Sequence, residues 1–106
     1  MPFWRLHYHL IWATYRREPL LASEVVERQT YGALLNKARE LGVLVHALGG
    51  VEDHVHMIVD IPPRLAVAEC TRHLKGASAY YVNHQSGAPG NFGWQDGYGA
   101  LTFGDR

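Results

Sequence analysis

In the stretch "VEDHVHMIVDIPP", residues 51–63, an apolar residue stands at every second position from Val55 to Ile61. Val55, Met57, Val59 and Ile61 fall on one side of an extended chain, and His54, His56, Ile58 and Asp60 on the other. The period of two predicts a strand over 54–61. Its aliphatic side needs a covering layer, while its histidine side suits an open sheet face. Pro62 and Pro63 end the strand, since neither can donate to a ladder. Glu52 and Asp53 form the bend that joins it to a second apolar run over 43–51, which makes a hairpin.

The same test applied outward gives the remaining elements. "RLHYHLIWAT", Arg5 to Thr14, also alternates, with Leu6, Tyr8, Leu10 and Trp12 opposite His7, His9, Ile11 and Ala13. A turn containing Pro19 follows. Ser23 is placed to cap a helix that runs to about Leu41, with Val26, Leu34, Ala38 and Leu41 along one stripe and Gly42 as the stop. A second helix is predicted from about Leu65 to Asn83, its stripe formed by Val67, Cys70, Leu74, Ala77 and Tyr81. "HQSGAPGNFG" reads as a loop, and Tyr98–Phe103 as a short last strand. The order βαββαβ is the split β-α-β of the ferredoxin-like fold. It is an α+β class with a four-stranded antiparallel sheet, two helices on one face, and the first and third strands side by side in the centre.

Composition narrows the function classes. The 106 residues make one domain, 47% hydrophobic and 19% charged, as in an ordinary globular chain. No apolar run approaches the ~20 residues of a membrane span, and the start "MPFWRLHYHL" lacks a signal-peptide pattern, so the expected location is the cytosol. Cys70 is the only cysteine, which rules out an internal disulfide and a multi-cysteine zinc site. Zero net charge weighs against duplex DNA binding by bulk electrostatics. Local clusters, Arg16 with Arg17 and Arg72 with Lys75, together with 11% aromatic residues, leave single-stranded nucleic acid open.

Two readings are open for His54 and His56. Neighbouring imidazoles on one sheet face can hydrogen-bond there, or each can give one nitrogen to a divalent ion. His7 and His9 repeat the spacing without an acidic turn beside them, and His46 and His84 are expected outside a His54/His56 metal site.

"GGVEDHVHMIVDIPP", "LKGASAYYVN" and "FGWQDGYGALTF" together resemble the single-tyrosine HUH transposases of the insertion sequence 200/605 group, in particular the branch associated with repetitive extragenic palindromes. The resemblance runs from "YHLIWATYRR" to the last strand. It implies a homodimer that acts on single-stranded DNA with a hairpin. His54 and His56 would hold Mg or Mn, and a tyrosine would cut one strand and stay linked to its 5′-phosphate. It further implies that the nucleophile and a third metal ligand lie on a helix after the closing strand, at positions beyond Arg106. Residues 1–106 are therefore expected to form the transposase domain without its tyrosine helix, and to be inactive in cleavage alone. Tyr98 occupies a closing-strand position that the family fills with a structural tyrosine, and Tyr80 and Tyr81 read as packing or DNA-facing rings. Arg16, Arg17, Arg72 and Lys75 are the candidate DNA contacts. Two alternatives are a non-catalytic hairpin-binding protein and a histidine-triad nucleotide hydrolase. The latter needs a third histidine where this chain has Ile58.

Overall fold

The computed structural model describes residues 6–85 and 87–104. The predicted first residue of the first strand, Arg5, and Ser86 of the Gly/Pro loop lie outside them. So does Arg106, the residue after which the resemblance places the tyrosine helix. The elements run β1 (Leu6–Ala13), a 3-10 turn (Tyr15–Arg17), α1 (Glu24–Leu41), β2 (Leu44–Val51), β3 (His54–Asp60), α2 (Val67–Asn83) and β4 (Gly99–Gly104). The sheet order is β2-β3-β1-β4, with every neighbouring pair antiparallel. This is the expected α+β arrangement with β1 and β3 central.

Local chemistry sets the ends of α1. The Ser23 hydroxyl accepts from Val26 N at 3.3 Å, satisfying one of the orphan donors of the first turn. Gly42 takes φ 76°, and Gly42 N and Val43 N donate to Arg39 O and Ala38 O, the paired bonds of a Schellman stop. Because Val43 is used in that stop, β2 begins one residue later than the apolar run suggests.

Alternation places the core. Leu10 and Trp12 of β1 and Val55, Met57 and Val59 of β3 are buried beneath the helices, together with Leu34 and Ala38 of α1 and Cys70 and Leu74 of α2. Lower on α2 the buried seam is Cys70, Leu74, Ser78 and Val82, and not the expected line through Ala77 and Tyr81, which leaves Tyr81 44% exposed. Ser78 tolerates burial because its hydroxyl donates back to Leu74 O at 2.8 Å and accepts from Trp94 Nε1 at 2.9 Å. Trp94, in turn, packs edge-on against Trp12 and Phe92, and so anchors the loop before β4. Among the described residues no helix is long and apolar enough to cross a membrane.

Burial pushes the Cys70 thiol up to about 11. At pH 8 only about one molecule in a thousand carries the reactive thiolate. A disulfide reagent is therefore expected to label Cys70 at the rate of global unfolding, and rapid labelling of the native protein would contradict this packing.

Candidate metal and nucleic-acid site

The β2–β3 connection is a two-residue turn, since Val51 pairs with His54 across Glu52 and Asp53. Its carbonyls are tied to the chain after β1. Thr14 N donates to Asp53 O at 2.9 Å and Leu21 N to Glu52 O at 2.9 Å. The turn therefore has little freedom, and the first residue of β3, His54, is fixed with it.

His54 and His56 stand on the sheet face away from the helices, half-buried, with ring centroids 5.8 Å apart and planes inclined by 30°. Each ring has one nitrogen engaged. His54 Nδ1 lies 2.9 Å from Asp53 Oδ1, and Arg17 Nε donates to Asp53 Oδ2 at 3.3 Å, so guanidinium, carboxylate and imidazole form a chain. The hydrogen bond from His54 holds the Asp53 carboxyl below the usual range; partial burial opposes this, and Arg17 reinforces it. His56 Nδ1 faces His9 Nε2 at 3.4 Å, their rings stacked at 5.5 Å. On both histidines Nε2 is the nitrogen left for an added ligand. A carboxylate behind a histidine is the arrangement that fixes tautomer and orientation in metal sites, so these residues suit a divalent ion.

A cleft of about 300 Å³ opens beside His54, lined among others by Arg17, Trp12, Gln95, Asp96 and Tyr98. Backbone contacts hold its far wall. Thr14 forms a bridge with Trp94, Gln95 N donates to Ala13 O at 2.8 Å, and Tyr15 N donates to Gly93 O at 2.9 Å. Lys75 Nζ donates to Gln95 O at 2.7 Å and Gly97 O at 3.1 Å, and burial lowers its pKa, opposed by nearby Asp96. Lys75 therefore braces the cleft wall with two of its three donors. Arg72, one turn earlier, is 71% exposed and 3.9 Å from Glu69.

Arg16 and Arg17 adopt φ of 55° and 56°, left-handed values that cost a non-glycine residue roughly 1–3 kcal/mol each. The turn is held by Thr14, whose hydroxyl donates to Glu18 O at 2.6 Å and whose carbonyl accepts from Arg17 N at 2.9 Å. Its result is to aim Arg17 at Asp53, while Arg16 lies over the Tyr15 ring, 5.1 Å from its centroid.

Of the residues singled out in the sequence, the structure brings His54, Arg17 and Tyr98 around one cleft, with His56 next to His54 and His9 beside His56; it adds Asp53 as a partner of His54. Asp53 was visible only as part of an acidic turn. Tyr80 is exposed on α2 and stacks on His84 at 3.9 Å. His46, expected outside the His54/His56 site, lies away from it, with His7 against Asp60 at the other end of the open face: His46 Nε2 is 3.0 Å from Asp60 Oδ2, and His7 Nδ1 bonds to Asp60 Oδ1. Burial pushes the Asp60 carboxyl up, but the two imidazoles outweigh it and hold it below the usual range.

Residues 2–106 match the protein family described as transposase, IS200 like. The transposase for insertion sequence element IS200 of Salmonella typhimurium is 31% identical over 86 residues, covering 79% of this chain and 55% of that protein. The ISDra2 transposase TnpA of Deinococcus radiodurans is 34% identical over 76 residues, covering 72% of this chain and 54% of that protein. The chain thus spans about half the length of these curated relatives. A crystal structure of a transposase-assigned chain from Deinococcus radiodurans superposes with a TM-score of 0.80 at 30% identity, covering 96% of this chain and 82% of that one. The fold is also shared, with a TM-score of 0.66 at 15% identity over 97% of this chain and 60% of the other, with a REP-associated tyrosine transposase solved bound to a REP hairpin.

Proposed function

The chain belongs to the family of IS200-like transposases, and on that premise we propose that it binds single-stranded DNA carrying a hairpin and holds Mg or Mn between His54 and His56 for tyrosine-mediated strand cleavage and transfer. The observation that carries this reading is the histidine pair itself. Two same-face imidazoles are each fixed through Nδ1, by Asp53 or by His9, and His54 borders a cleft that also holds Arg17 while His56 stacks beside it. When bound, a divalent ion supplies Lewis-acid charge to the non-bridging oxygens of the scissile phosphate. Asp53 keeps His54 in one tautomer, and Arg17 fixes Asp53 while its other guanidinium nitrogens remain for a phosphate. Arg16 and Arg72 are the outward cations that suit backbone contact; Lys75 has one donor left for it. Hairpin DNA as the ligand accords with the hairpin held by the REP-associated protein of the same fold.

Residues 1–106 supply the metal pair and the DNA surface, and the cleaving tyrosine is assigned to the helix that in the family follows the closing strand. Tyr98, beside the cleft and 41% exposed, serves as a wall ring. The chain works as a homodimer in the prokaryotic cytosol or nucleoid. β4 pairs with β1 along one edge, exposes Leu101, and offers its other edge to a second copy.

A labelled single strand with a hairpin, titrated by anisotropy against blunt duplex of equal length, tests the reading. The hairpin strand should bind at least about 10-fold more tightly, and Arg72→Ala should lower the salt slope by about one phosphate contact. Light scattering at tens of micromolar should give twice the 11.9 kDa chain mass. With Mn present, a denaturing gel should show no covalent protein–DNA band from these 106 residues. Equal affinity for duplex and hairpin would overturn the DNA assignment. A covalent band lost in Tyr98→Phe would make Tyr98 the nucleophile, and a monomeric mass would remove the dimer.

A further inference from the structure

We propose that His7, His46 and Asp60 form a second metal site, separate from the His54/His56 pair, that takes a divalent first-row transition ion of the zinc class. One potential ligand atom from each of the three lies within 4.8 Å of the other two. Three different strands deliver them. His7 of β1 is directly opposite Asp60 of β3, and His46 comes from β2.

His46 reaches the site through a β-bulge. Val45 pairs with Val59 and Ala47 with Ile58, so His46 is the extra residue between them. Two residues then oppose one, and His46 joins Ala47 on the open face while Val45 and Leu48 stay packed against the core. Without the bulge, the strict alternation of β2 could not place Ala47 opposite Ile58 and also aim His46 at Asp60. Bulges recur where a side chain must be re-aimed at a site.

The local bonding is incomplete. Asp60 Oδ2 is buried and makes no formed hydrogen bond, although His46 Nε2 is only 3.0 Å away. His7 approaches the other carboxylate oxygen, and the His7 and His46 rings meet edge to face at 5.0 Å. The side chains are 19%, 37% and 17% exposed for His7, His46 and Asp60, so water competes weakly but an ion can enter. In a tetrahedral site with bonds of about 2.0–2.1 Å, neighbouring ligand atoms stand roughly 3.3 Å apart. The three ligand atoms lie within 4.8 Å of one another, so an ion fits once the imidazole protons leave and the side chains adjust toward that spacing.

Donor chemistry selects the ion. Two imidazoles and one carboxylate suit zinc, cobalt or nickel. Three protein ligands leave a position open for water or a substrate oxygen. Asp60 is six residues along β3 from His54, about 20 Å in an extended strand, so one ion cannot serve both places.

The experiment titrates the metal-free chain with Zn by equilibrium dialysis and with Co while following its visible d–d absorption. It compares wild type, His46→Gln, Asp60→Asn and the double variant His54→Ala/His56→Ala, each checked for folding by circular dichroism. The tightest equivalent of Zn should survive in the double variant with affinity within about 3-fold of wild type. In His46→Gln and Asp60→Asn it should fall by more than the roughly 10–100-fold that loss of an outer-shell partner causes. His46 lies on an edge strand, so His46→Gln remains informative if Asp60→Asn fails to fold. Zn binding unchanged by His46→Gln, lost in the double variant, or absent at 100-micromolar concentrations would overturn the second site and show Asp60 to be a carboxylate hydrogen-bonded between two imidazoles. Neither result bears on DNA binding, so this proposal and the functional reading can fail separately.

Discussion

Met57→Ala is expected to destabilise the fold by about 2–5 kcal/mol, whereas His54→Ala/His56→Ala on the same strand should cost less than about 1 kcal/mol. Met57 is fully buried and lies between Val55 and Val59, which are equally buried, at the middle of the central strand. Truncation removes apolar surface and leaves a cavity that the flanking β1 strand and the two helices cannot collapse into without moving. The two histidines face the other way, and their losses are one hydrogen bond each to Asp53 and His9. Urea unfolding should show a lower midpoint with unchanged slope for Met57→Ala. A double histidine variant as unstable as Met57→Ala would mean that the open face is covered, and that the one-sided sheet is wrong.

Asp53→Ala should weaken Mn binding at the histidine pair by about 10–100-fold while leaving the fold intact. The backbone carbonyl that accepts from Thr14 is unaffected by the change, so the turn keeps its anchor. What is lost is the carboxylate on His54 Nδ1, and with it the tautomer and ring angle that present Nε2. Arg17→Ala should act in the same direction but more weakly, because it touches the ring only through Asp53. Free Mn measured by electron paramagnetic resonance, in an Asp60→Asn background, isolates the histidine pair from the His7/His46/Asp60 cluster. Unchanged affinity in Asp53→Ala would reduce Asp53 to a turn residue.

The amino-acid sequence by itself determined the element order, the bounds of α1 and the two faces of β1 and β3. These are local properties. Ser23 and Gly42 satisfy helix ends within their own neighbourhood, and a period of two assigns Met57 and His56 to opposite faces whatever packs on them. Family resemblance in "DHVHMIVDIPP" and "WQDGYGALTF" extended this to the IS200-like transposases, the family whose model matches residues 2–106.

Tertiary structure decided the rest, for reasons that lie far apart in the chain. Ser78 is buried in place of Ala77 because Trp94, sixteen residues on, supplies its hydrogen-bond partner; the polarity of an isolated serine points the other way. Lys75 reads as a surface cation, yet it braces Gln95 and Gly97. Arg16 and Arg17 hold left-handed backbone angles that no propensity favours, stabilised by Thr14 and directed to Asp53. The bulge at His46 is invisible in a run of apolar residues, since only the register of β2 against β3 reveals which residue is extra. An orienting carboxylate or a three-strand cluster such as His7, His46 and Asp60 depends on cross-strand register, and that is settled by the packing of both helices onto one face of the sheet.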